Sequence, residues 1–234
     1  MLSSCIEDLF IVIMPAPPPI AMKSLRHLIT LAVPVLAILL ASCATKKPPP
    51  GASAGAKFVN PYPEGTYEHF TAERNYPKTY TIWKNQEVLS RTNPGNSHVR
   101  IDLAKQRGFL MNGDKVAMDY PVCSGRAGHE TPTGNFTILE MLVEKQSNVY
   151  GRIYDAEDVC VNRDADITKD PVPEGGRFDG APMRYWMRLT NDGVGHHIAL
   201  VRRAPASHAC IRGPVGAIPI VYSKVKLGTK VTVE

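Results

Sequence analysis

From Ser97 to Cys123 the chain reads SHVRIDLAKQRGFLMNGDKVAMDYPVC. HVRIDLA alternates apolar and polar residues with the period of two that marks a half-buried strand. RGFLMN and KVAMDYPVC then flank the dipeptide Gly113-Asp114, a hairpin signal because a glycine supplies the positive φ that a two-residue turn needs. Further strand candidates follow: GNFTILEMLVE (134–144) after the turn Thr131-Pro132-Thr133-Gly134, then MRYWMRLT (183–190), VGHHIALV (194–201) and KVKLGTKVTVE (224–234). No apolar stripe of helical period and length appears after residue 97, although PVGAIPIVYSKV (214–225) can hold one short helix. The expected fold is mainly β, a sandwich or open barrel. Residues 145–181 are polar and rich in Gly, Asp and Pro, so they read as a long loop that reaches over a site.

Working outward, residues 66–96 carry Tyr67, Phe70, Tyr76, Tyr80 and Trp83 and read as a lead-in that packs against the main domain. Before it, 43–65 is rich in Pro, Gly, Ala and Ser, which cannot bury enough apolar surface to order itself, so it reads as a tether. From Met22 the segments follow the order of an export signal: Lys23, Arg26 and His27, then an apolar run Leu28–Leu40, then Leu-Ala-Ser-Cys ending at Cys43. The apolar run is too short to span a bilayer comfortably. Residues 1–42 are therefore an N-terminal extension plus signal peptide.

The 234 residues carry a net charge of +5, and 44% of them are hydrophobic. That is sufficient for one good-sized core. Lys and Arg are scattered without an aromatic-basic stripe, so no nucleic-acid partner is expected. Three cysteines, Cys123, Cys160 and Cys210, fall in the main domain. In an oxidising compartment one arithmetic solution is a Cys123–Cys160 bridge with Cys210 free, but spacing alone does not give geometry.

Chemistry concentrates in GHHIALVRRAPASHACIRGP (195–214), which holds His196, His197, His208 and Cys210. Adjacent histidines on a strand point to opposite faces, and no second cysteine is near. The spacing therefore argues against a metal site, and no cofactor is expected. A cysteine nucleophile with a histidine base fits the residue types, with Arg202, Arg203 and Arg212 supplying positive field and turn N–H groups a possible oxyanion hole. On the residues alone, a buried structural cysteine beside satisfied histidines accounts for them equally well.

Ser207-His208-Ala209-Cys210-Ile211-Arg212 closely resembles the S-H-G-C-I-R signature of the YkuD-type L,D-transpeptidases. VGHHIA is similar to the upstream Gly-x-His element, with His197 matching the family base and His196 the variable neighbour. Ile101–Ile138, with its Thr-Pro-Thr-Gly turn, resembles the family's opening block, and GTKVTV its closing strand, so the likeness covers about 97–234. Two positions depart from the pattern: Ile198 and Ala209 stand where the family usually has glycine. The Leu-Ala-Ser-Cys ending resembles a bacterial lipobox, which implies lipidation at Cys43 and a place in the cell envelope, on the periplasmic side of a membrane.

The resemblance implies a catalytic domain over 97–234 that acts on peptidoglycan stem peptides. Cys210 would form a thioester and release D-Ala, and His197 would carry the proton. Transfer to another stem peptide gives a 3→3 cross-link, transfer to water a carboxypeptidase, and transfer to a protein amine an attachment enzyme. A lipid-anchored wall-binding module is the non-enzymatic alternative. Arg212 would hold a substrate carboxylate or close the loop. His208 would shape the oxyanion hole or the leaving-group side, and Ser207 would support the turn. Met183, Tyr185 and Trp186 would line the donor groove or belong to the core.

Overall fold

The Gly113-Asp114 turn joins β3 (Arg107–Asn112) to β4 (Lys115–Pro121), with Asn112 opposite Lys115. Gly113 sits at φ 54°, the left-handed region that glycine enters without strain. Around this hairpin grows a six-stranded sheet in the order β1-β4-β3-β2-β13-β5, where β1 is Trp83–Lys84, β2 Ser97–Asp102, β5 Gly134–Thr137 and β13 Lys230–Val233. Its inner face supplies Val99, Ile101, Leu110, Met118, Val231 and Val233 to the core.

The computed structural model describes residues 58–234. A second sheet has the order β12-β11-β10-β6, from Ile211–Gly213, Gly195–Ile198, Trp186–Arg188 and Glu140–Leu142. It adds Met187 and Ile211 to the same core, which the helix α3 (Ile218–Lys224) closes with Ile218 and Val221. Both the mainly-β fold and the single short helix near the C-terminus agree with the sequence expectation. GNFTILEMLVE, expected as one strand, divides: β5 pairs with β13 and β6 with β10. The break falls where Ile138 N–H turns to Thr229 O and Leu139 N–H to Arg188 O.

Residues 145–181 correct a second expectation. They form a three-stranded antiparallel sheet, β8-β7-β9, from Cys160–Asp166, Gln146–Tyr154 and Arg177–Pro182. Of these strands only Gly151, Ile153, Ala165 and Gly180 are buried, so they lack the apolar alternation that announces a strand. Gly151 and Gly180 let the strands cross closely, since a Cβ at Gly151 would lie 2.2 Å from Asp179 O. Cys123, Cys160 and Cys210 are all free thiols, so the Cys123–Cys160 bridge does not form. Cys123 is buried, with its Sγ donating to Ala204 O at 3.1 Å.

The lead-in is folded and fastened. It contains α1 (Tyr67–Ala72), capped by Thr66, and α2 (Gln86–Arg91), capped by Asn85. Its anchor is the ion pair between Arg107 Nε and Asp119 Oδ1 at 2.6 Å, with both side chains 0% exposed. Arg107 also donates to Thr79 O (2.9 Å) and Thr81 O (3.1 Å). Asp119 Oδ2 accepts from Tyr67 (2.9 Å) and Tyr76 (3.2 Å). Every polar atom of the pair therefore has a partner, which is what makes so dry a pair tolerable. The last residues of the expected tether join this packing: Asn60 Nδ2 donates to His69 O at 2.8 Å, and Arg74 lies over Phe58. Residues 1–57, with the signal peptide and Cys43, lie outside the described residues.

Asp119→Ala strands Arg107 as an unpaired buried charge and should cost about 3–5 kcal/mol in urea unfolding. Tyr67→Phe removes one hydrogen bond and should cost about 1 kcal/mol. Equal effects of the two substitutions would contradict this anchoring.

Candidate active site

Strand β11 runs parallel to β12, with His196 beside Ile211 and His197 beside Arg212. Side chains alternate across a strand, so this register sends His196 and Ile211 to one face and His197 and Arg212 to the other. His196 goes into the core. Its Nδ1 donates to Ile211 O (2.8 Å) and its Nε2 accepts from the Tyr120 hydroxyl (3.1 Å). His197 lies on the opposite face, 6.0 Å from Trp186 between ring centres, and its Nδ1 donates to Ile198 O at 2.9 Å. Because a carbonyl only accepts, that bond puts the proton on Nδ1 and leaves the Nε2 lone pair free.

Cys210 directly precedes β12, two residues from Arg212, and borders a cleft of about 400 Å³ together with Ala209, His208, Trp186, Met183 and Tyr150. Its thiol donates to Gly193 O at 3.7 Å. Burial pushes the Cys210 pKa up, against a backbone hydrogen bond at Gly195 and the nearby Arg212 charge. Burial likewise pushes His197 down to about 4, only partly offset by its bond to Ile198. The resting pair is therefore a neutral thiol and a neutral imidazole. The Arg212 guanidinium makes no hydrogen bond or ion pair among the described residues. It remains available to an anionic ligand.

The turn before Cys210 is laced to the segment after β4. Ser207 Oγ donates to Cys210 O, and Ser207 N–H to Ser124 O. Thr131 Oγ1 accepts from Gly125 N–H (2.9 Å) and donates to Ala209 O (2.6 Å). Arg126 Nη2 lies 2.7 Å from His208 Nε2. Thr131 and Arg126 were not singled out from the sequence; the Thr-Pro-Thr-Gly turn marked the place but not the partner. The backbone N–H groups of His208, Ala209 and Cys210 are bonded to nothing among the described residues, which leaves three free donors in the turn that ends at Cys210.

The two departures from glycine behave differently. Ile198 keeps ordinary negative φ, packs against the core and orients His197 with its carbonyl. Ala209 sits at φ 74°, so the turn retains a glycine-like backbone with an alanine in it, at a cost of roughly 1–2 kcal/mol. Gly195 is needed, because a Cβ there would lie 2.4 Å from the Trp186 ring. Trp186 lines the cleft, held by its Nε1 donating to Glu140 at 2.8 Å. Tyr185 does not join it: one residue earlier, it packs against Tyr222 at 5.3 Å on the core side. No cluster of three or more His, Cys, Asp or Glu suited to a metal ion occurs among the described residues.

Two predictions follow from burial and backbone strain. Ala209→Gly should raise stability by about 1 kcal/mol in urea unfolding. His196 and His197 both have pKa values lowered from 6.5 to about 4. The unfolded chain therefore binds protons that the fold refuses, and stability should fall as pH drops from 6.5 towards 4, by roughly 3 kcal/mol per histidine at the lower end. Urea midpoints independent of pH across that window would contradict the burial of both rings.

A family model, the L,D-transpeptidase catalytic domain (YkuD), matches residues 96–233, more than half of the chain. No curated protein matches the sequence. Among solved structures, an L,D-transpeptidase from Mycobacterium smegmatis is similar at 19% identity and TM-score 0.46, over 59% of this chain and 58% of that one. One from Stackebrandtia nassauensis has 17% identity and TM-score 0.44, over 71% and 65%. A mutant L,D-transpeptidase from Enterococcus faecium has 21% identity and TM-score 0.43, over 59% and 50%. The match thus spans less than two thirds of the length of each of these three. With the family model covering β2 to β13 and every residue that lines the cleft, the chain belongs to the L,D-transpeptidase catalytic-domain family.

Proposed function

We propose that the protein is a peptidoglycan L,D-transpeptidase that works through a thioester on Cys210. The observation that carries this reading is the free Nε2 of a neutral, buried His197 on the same sheet face as Arg212, in the strand paired with the one that Cys210 directly precedes. Cys210 Sγ adds to the carbonyl carbon between the third residue of a stem peptide and its terminal D-Ala, and the thiol proton passes to His197 Nε2. The C–N bond breaks, the proton returns to the leaving amine, and D-Ala departs. An amine from a second stem peptide then attacks the thioester and gives its proton to His197, from which the released thiolate recovers it. The product is a 3→3 cross-link; with water as acceptor it is a shortened stem.

The free turn N–H groups at 208–210 suit the oxyanion of both tetrahedral intermediates. Arg212 suits a substrate carboxylate. Because the resting pair is neutral, proton transfer accompanies attack instead of preceding it. Cys43 would carry a lipid and residues upstream of the fold would tether the domain on the periplasmic side of a membrane, within reach of its polymeric substrate.

Cys210→Ala should abolish D-Ala release from tetrapeptide muropeptides, followed by mass spectrometry; turnover by that variant would sink the proposal. His197→Ala should lower release by roughly 10²–10⁴-fold. His196→Ala should act mainly on stability, so equal losses per folded molecule would mean that the base is misassigned. The acid limb of kcat/KM should lie near pH 4, since His197 is a competent base only above its lowered pKa. An acid limb at 6.5 or above would contradict a buried neutral base.

A further inference from the structure

His208 is gripped on several sides by groups with no part in the proton transfers above. Tyr150 of β7 stacks on its ring at 4.0 Å and 15°, and His129 meets it edge-on at 4.8 Å. Arg126 Nη2 lies 2.7 Å from its Nε2. Asp164 of β8 stands 3.9 Å from the same nitrogen and 3.6 Å from Arg126 Nη1. A guanidinium carries donors only, so the Arg126 contact requires a lone pair on Nε2. The ring must then be neutral with its proton on Nδ1, because the bond made by one nitrogen dictates the state of the other. Burial and the Arg126 charge both push the His208 pKa down, with smaller effects from His129 and Arg212 and an opposing one from Asp164.

The backbone at Arg126 is itself fixed. Its N–H donates to Ser207 O at 3.0 Å, and Gly125 before it is clamped so tightly that a Cβ would lie 1.9 Å from His129 O. His208 Nδ1 makes no hydrogen bond among the described residues, and the ring borders the cleft beside Ala209 and Cys210. The geometry points to Arg126 as a positioning residue: it locks His208 as the neutral Nδ1–H tautomer and so presents one N–H donor to the peptide in the cleft. The consequence for turnover rests on the proposed function; the tautomer does not.

Nitrogen-15 NMR of histidine-labelled full-length protein tests the lock. In the wild type the His208 Nδ1 should be the protonated nitrogen. Arg126→Met should release the ring to the Nε2–H form or a mixture and raise its pKa, while Arg126→Lys, which keeps a cationic donor, should preserve both properties. The kcat for D-Ala release should fall roughly tenfold or more in Arg126→Met and recover in part in Arg126→Lys. Nε2–H in the wild type, or an unchanged tautomer and pKa in Arg126→Met, would overturn the inference. A wild type without D-Ala release but with the Arg126-dependent tautomer would overturn the proposed function and support the lock.

Discussion

The parallel pairing of Gly195–Ile198 with Ile211–Gly213 is the constraint on which the site depends. Two adjacent histidines must leave a strand on opposite sides, and the register decides which enters the main core and which shares a face with Arg212. His196 and Ile211 enter the core, where Tyr120 and a carbonyl use both nitrogens of the ring. His197 and Arg212 take the other face, and Cys210 directly precedes the strand that carries Arg212. A parallel pair also demands a long crossover. Here residues 199–210 provide it, and their last turn carries Cys210. A slip of one residue would bury Arg212 and turn His197 away, so the sandwich core enforces the geometry of the chemistry.

Burial is the second shaping force. It raises the thiol and lowers the imidazole, so neither group is charged at rest. A site of this kind holds no preformed thiolate. In the proposed mechanism the donors at 208–210 and the Arg212 guanidinium, which have no partner among the described residues, would supply positive potential where negative charge develops, which is where electrostatic stabilisation is most effective.

Much of the sandwich was legible because its strands are short apolar-rich runs bounded by turn residues, even where β3 and β4 bury residues on both faces. The strand HVRIDLA announces itself by alternation, the Gly113-Asp114 hairpin by its turn chemistry, and the strand through His196 and His197 by its short apolar run. The β7-β8-β9 sheet does not, because it buries few side chains and its polar sequence is that of a loop. The uninterrupted run 134–144 conceals its change of sheet, for the switch is made by backbone hydrogen bonds that leave no residue signature. Alternation also separates Trp186 in the cleft from Tyr185 on the core side. Of the site, the motif residues Cys210 and His197 could be read from local pattern. Thr131 and Arg126 could not, because they reach the turn from about eighty residues away. The same holds for Arg107 and Asp119, whose charges sit in strands that otherwise read as apolar. At position 209 the alanine in place of glycine gave no sign that the turn keeps φ at 74°.

The most direct test of the central claim is intact-mass measurement with peptide mapping after the protein is mixed with a stem tetrapeptide and quenched in acid. A thioester should add the mass of the tripeptide acyl group less one proton, located on Cys210 and reversed by hydroxylamine. An unmodified protein whose tetrapeptide is nevertheless processed, or an adduct on Cys123 or Cys160 instead, would contradict the account.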